Sequence, residues 1–144
     1  GNFPSRENAI GFSHCAAAHA KYCISAPGVV TLLLKTVAWV STARRDLKSL
    51  PTTVVNEIGH QLFRVQCGLE PTDWKPLPIV GPGAREIRVR QKAGTFRVIY
   101  ASHLPGKIHV LHCFQKKTRK TAASDIGLAR ARLRAIRSET PHEV

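Results

Sequence analysis

The chain predicts an α+β domain in which a strand, two helices, a loop, three strands and a last helix follow in that order. Three observations carry the prediction. Val54, Val55, Ile58, Leu62 and Val65 recur at helical spacing. Between residues 86 and 114, three short apolar stretches are divided by turn signals at 91–94 and 103–106. The final segment sets Ile126, Ala129, Leu133 and Ile136 on one face and most of its arginines elsewhere.

Each element has a local reason. Residues 1–34 are rich in small side chains, hold two prolines and few charges, and lack a sustained amphipathic period. They are expected to be an extension of a domain spanning 35–137, with a tail at 138–144. Residues 37–40 read as a strand, and Ser41 or Thr42 is placed to cap a short helix over 44–50. Pro51 suits the start of the second helix, which Cys67 and Gly68 should end. Residues 69–84 hold four of the nine prolines and two glycines, so a loop of restricted conformations is predicted. Strands at about 86–90, 95–101 and 107–114 suit an antiparallel meander, and a helix over 124–137 closes the domain.

Charge narrows the function. The chain carries 22 Lys and Arg against 9 Asp and Glu. From Arg85 to Arg137, fourteen basic residues face only Glu86 and Asp125, so nearly all of the net charge of +13 sits in the last third. Crowded like charge is relieved most readily by a polyanion, and cations carried on a small sheet suit phosphate. At 144 residues there is room for one domain and its tails.

Other classes are disfavoured. The cysteines at 15, 23, 67 and 113 form no CxxC pair and read as reduced thiols of a cytoplasmic protein. No apolar run reaches about 18 residues, and the first 30 residues lack the basic start and apolar stretch of a secretory signal, so neither membrane insertion nor export is expected. His14, Cys15, His19 and Cys23 are metal-ligating types, but their spacing fits no structural zinc module. Gly81-Pro82-Gly83 lacks the Lys-Ser/Thr of a phosphate-cradling loop and reads as a turn.

Three motifs then fall in order. They are Glu86-Ile87-Arg88, Phe96-Arg97-Val98-Ile99-Tyr100, and the segment 110–121, VLHCFQKKTRKT. In this order and separation they resemble the phage-related HigB-type toxins of the RelE/ParE superfamily, over about residues 35–136. The resemblance implies a small antiparallel sheet with two N-terminal helices on one side and a C-terminal helix, β-α-α-β-β-β-α. It also implies a toxin of a type II toxin–antitoxin system that cleaves mRNA on the ribosome without a metal or other cofactor. The implied partners are the ribosome, mRNA and an antitoxin with a helix-turn-helix domain.

RNA cleavage of that kind needs a deprotonated 2′-hydroxyl, a stabilised phosphorane and a protonated 5′-oxygen. Arg88 and Arg97, on neighbouring strands, are the leading candidates to stabilise the phosphorane. Lys116 or Lys117, with no choice between them, is the candidate acid or base. Tyr100 and His112 are further catalytic candidates, although aromatic strand residues are usually core. Alternation from Ile108 through Val110 sets His112 and Phe114 on one face, which favours a core role for the histidine. Arg85, Arg90, Arg119 and Lys120 are expected to contact RNA or the ribosome. Two other readings stand beside this one: a ParE-like inhibitor of DNA gyrase without nuclease activity, and a non-catalytic basic nucleic-acid-binding module.

Overall fold

The computed structural model describes residues 22–26, 29–32, 34–103 and 106–139. His14, Cys15, His19 and residues 140–144 lie outside them. Strands β1 (Tyr22–Ala26) and β2 (Val29–Leu32) pair antiparallel as a sheet of their own. The domain follows with β3 (Thr36–Trp39), α1 (Ala43–Lys48), α2 (Thr52–Gln66), β4 (Trp74–Pro76), β5 (Ala84–Gln91), β6 (Gly94–Ala101), β7 (Lys107–Lys116) and α3 (Ala123–Glu139). Apart from β4, this is the predicted order of elements, and the fold is α+β.

Helix α2 shows why the periodicity is legible. Val54, Ile58, Leu62 and Val65 are all buried along one face. The helix ends where Gly68 adopts φ +82°, a conformation open to glycine without penalty. There Gly68 N–H donates to Val65 O at 3.0 Å and Leu69 N–H to Arg64 O at 2.9 Å, the double bond of a Schellman ending. Thr42 stands at the N-cap of α1, but its hydroxyl donates to the Asp46 carboxylate at 3.0 Å rather than capping the backbone.

The five-stranded sheet runs β3-β7-β6-β5-β4. Strands β4 to β7 pair antiparallel, as predicted for the last three. Two features differ from the sequence reading. The proline-rich segment taken as loop contains β4, whose three residues pair with Arg85–Ile87 and form one edge. The join of β3 to β7 is parallel, because the chain leaves β3 through two helices and three reversals before returning beside it.

The sheet separates two apolar layers. Helices α1 and α2 cover one face, with Val37, Leu47, Val54, Ile58, Leu62, Ile87, Phe96, Val98, Tyr100 and Val110 in one cluster. On the other face, α3 packs Ile126, Ala129, Leu133 and Ile136 against Ala84, Ile99, Ala101, Leu111 and Phe114. Alternation along β5 and β6 continues that second face past α3's cluster through Glu86, Arg88, Arg90, Thr95 and Arg97, none of which joins it. A bulge in β7 completes the layout. Ile99 pairs with His112 whereas Tyr100 pairs with Val110, so Leu111 is an extra residue and the alternation from Ile108 does not carry through to His112.

Candidate active site

The end of the sheet face beyond α3 collects charged side chains from three strands. Arg88 on β5 stands directly opposite Arg97 on β6, and Lys116 at the end of β7 pairs with Thr95, one diagonal step from Arg97. Directly opposed side chains lie about 5 Å apart at Cβ and diagonal ones about 7–8 Å. Lys75 joins from β4 through its pairing with Glu86. Among the predicted residues, the fold therefore brings Arg88, Arg97 and Lys116 together, with Arg90 two residues farther along β5.

Opposed arginines repel, and two carboxylates offset the repulsion. Glu86 is fully buried and its Oε1 accepts from Arg97 Nη1 at 2.8 Å, with Lys75 Nζ 3.8 Å away. Arg97 is itself only 6% exposed. Its Nε and Glu86 Oε2 have no hydrogen-bond partner among the described residues. Asp73, in the loop before β4, takes Arg88 at Nε and Nη2, at 2.8 and 2.5 Å, and reaches Arg90 at 3.7 Å. Neither leading arginine is free: each guanidinium already holds a carboxylate.

Titration is biased accordingly. Burial lowers Arg97 from the usual arginine value; Glu86 pulls it back, while Arg88 and Arg90 push it down. Lys116 is also lowered, first by burial and then by Arg97, with Glu86 opposing and Lys75 and Arg88 adding. An ammonium so placed gives up its proton more readily than an ordinary lysine, the direction that proton transfer asks for. Lys117 follows the strand and, with Phe114, Lys116, Thr118, Ala122 and Asp125, lines a hollow of about 170 Å³.

The remaining predicted residues stand outside that charged group, although His112, opposite Ile99, is one diagonal step from Arg97 on the same face. Tyr100 is fully buried in the layer under α1 and α2, on the opposite face from Arg97, and burial raises its phenol. His112 is buried beneath α3, stacked on Phe114 with ring centroids 4.8 Å apart. Its Nε2 lies 2.7 Å from Asp125 Oδ1 and its Nδ1 3.9 Å from Asp46 Oδ2, so both nitrogens are turned toward carboxylates of the flanking helices. Arg132 ties the same region by donating to Leu111 O at 2.6 Å and to Thr42 Oγ1 at 2.7 Å. Arg85 pairs with Tyr100 across the strands, lies over the Trp74 ring at 4.4 Å and sits 3.6 Å from Glu70. Arg90, Arg119 and Lys120 are exposed.

Sequence reasoning did not propose Lys75, Asp73 or Glu86 as members of the site. Glu86, Arg88 and Arg90 at alternate positions signal a charged strand face, but Asp73 and Lys75 reach it only through the pairing of β4. Among the described residues, no three His, Cys, Asp or Glu side chains are grouped to hold a metal ion, and no helix is long and apolar enough to cross a membrane.

Comparison with known proteins gives one structural and one family result. A chain of the crystal structure of the toxin–antitoxin complex RelBE2 from Mycobacterium tuberculosis is 25% identical, with 58% of this chain and 99% of that chain covered at a TM-score of 0.45. No curated protein matches. Residues 45–134, from α1 to late α3, match the family described as Phage derived protein Gp49-like (DUF891). That span is more than half of the sequence and contains every charged residue of the uncovered face, and the chain belongs to this phage-derived Gp49-like family.

Proposed function

We propose that the protein is the toxin of a type II toxin–antitoxin pair and acts as a ribosome-dependent endoribonuclease of mRNA that needs no metal. The observation that carries the reading is the gathering of Arg88, Arg97 and Lys116 at the end of one sheet face, past the apolar cluster that α3 forms. The ordered motifs of β5, β6 and β7, which resemble HigB-type toxins, supply the reaction class.

In that reaction the 2′-oxygen attacks the adjacent phosphorus and the 5′-oxygen leaves. Arg88 and Arg97 stabilise the added negative charge of the phosphorane. Lys116, its ammonium destabilised by its surroundings, moves a proton at the 2′- or 5′-oxygen. Arg90, Arg119, Lys120 and Lys117 supply phosphate contacts toward mRNA and ribosomal RNA. An antitoxin of the helix-turn-helix kind silences the protein by covering the cations, and the pair works in the cytoplasm.

Inducible expression in bacterial cells, with mRNA ends mapped, tests the reading. New ends within translated messages are expected for the wild-type chain, and their loss is expected for Lys116→Ala and Arg88→Ala at equal protein level. Intact messages under a growth-arresting wild-type chain would overturn cleavage. Inhibition of gyrase supercoiling by the purified protein would then favour the ParE-like alternative.

A further inference from the structure

The two carboxylates on the open face are held differently. Glu86 is sealed inside the sheet on Arg97, whereas Asp73 is partly exposed, with 31% of its side chain accessible, and occupies the outer arginines. Its Oδ1 takes two nitrogens of Arg88 and its Oδ2 faces Arg90. One carboxylate thus bridges two guanidiniums, both nitrogens of Arg88 converging on a single oxygen, and a phosphate carries oxygens that the same two groups can take.

The backbone beneath Asp73 is fixed even though its side chain is accessible. Asp73 O accepts from Arg88 N at 2.9 Å. The preceding Thr72 is bound through its N–H and its hydroxyl to the buried Gln61, at 2.7 and 3.2 Å. The carboxylate can therefore swing off the arginines without moving the strand. Partly exposed ion pairs are weak, so an incoming anion has little to overcome. Beyond the fork, Arg97, Lys75 and Lys116 continue the row of cations, which suits a polyanion better than a single acidic side chain.

We infer that Arg88 and Arg90 form the outer RNA phosphate-binding edge of the centre that Arg97 and Lys116 complete, occupied by Asp73 in the free protein and vacated when a phosphodiester displaces that carboxylate. The inference rests on the reading above that this face binds RNA.

A 2′-O-methyl oligoribonucleotide has no free 2′-hydroxyl and cannot be cut, so its binding to the full chain, read by fluorescence anisotropy at low salt, isolates the subsite from cleavage. Asp73→Asn is expected to tighten Kd about threefold to fivefold, the scale of one partly exposed ion pair. The gain should vanish when Arg88→Gln and Arg90→Gln are already present. Glu139→Gln, which adds the same charge at the far end of α3, should change Kd less than about twofold. A second reading needs no substitution at Asp73: the oligonucleotide should shift the Arg88 Nε–H signal in the NMR spectrum of the wild-type chain. Unchanged affinity for Asp73→Asn, a gain that persists without the two arginines, or an unmoved Arg88 signal each overturn the subsite, and leave the broader reading standing wherever the wild type binds. Tightening for an acidic peptide but not for the oligonucleotide assigns the fork to a protein partner and overturns it too. If neither wild type nor Asp73→Asn binds the oligonucleotide, both readings fall.

Discussion

Arg88 and Arg97 face each other across β5 and β6, yet each gives its guanidinium to a different carboxylate, Asp73 to the first and Glu86 to the second. The two pairs differ in burial, and burial decides what each can do. The Arg97–Glu86 pair lies inside the sheet face, where the carboxylate holds the guanidinium in place, whereas the Arg88–Asp73 pair sits at its accessible rim and can exchange partners.

The buried pair makes a stability prediction. Glu86→Ala leaves Arg97 charged and enclosed without its partner, which should cost about 3–5 kcal/mol, read by urea denaturation. The double substitution Glu86→Leu with Arg97→Met removes both charges and should cost less than Glu86→Ala alone. An equal or greater loss for the double variant would show that side-chain shape, rather than charge compensation, dominates there.

Lys116 makes a prediction in pH. Its ammonium is disfavoured by burial and by Arg97, so its folded pKa lies below the ordinary lysine value of about 10.4. Between the two values the unfolded chain binds more protons, and stability from this group rises with pH through that alkaline window. Below both values the protonated lysine lowers stability by a constant amount. Carbon-detected NMR titration of the lysine side chains should place Lys116 low, and Arg88→Gln should move it back up. A Lys116 titration unaffected by that substitution would remove the electrostatic coupling from the argument.

His112 separates a packing role from a chemical one. Its ring joins β7 to α3 through Asp125 and is buried there, one diagonal step from Arg97 on the same sheet face. Asp125→Asn or His112→Ala should lower stability by about 1–3 kcal/mol, the scale for leaving a buried polar group unmatched. For His112→Ala, affinity for the uncleavable oligonucleotide should stay within about twofold, since the ring is buried and turned to Asp125; Asp125 itself lines the hollow of Lys116 and Lys117, so its variant is read by stability alone. A fall in affinity larger than the stability loss explains would return His112 to the site.

Much of this was legible in one dimension, because periodicity is a local property. The spacing of Val54, Ile58, Leu62 and Val65 specifies α2, and the apolar stretches between residues 86 and 114 specify three strands whose order makes Arg88 and Arg97 neighbours. Charge counting likewise located the basic third without coordinates. Other features depend on contacts between distant residues. Strand β4 has three residues and a proline, too few for a period, and exists because β5 offers it a partner. The bulge at Leu111 turned His112 to the α3 side, and no local pattern announces a single extra residue in one strand.

The amino-acid order by itself determined the helices and the longer strands, their apolar faces and where positive charge accumulates, since each follows from residues a few positions apart. Only tertiary structure decided which arginine holds which carboxylate, that Tyr100 and Arg85 face away from Arg97, and that Asp125 at the start of α3 lines a hollow with Lys116 and Lys117. Those outcomes depend on strand register and helix placement, through which Asp73 and Arg88, fifteen residues apart in sequence, come within hydrogen-bonding distance.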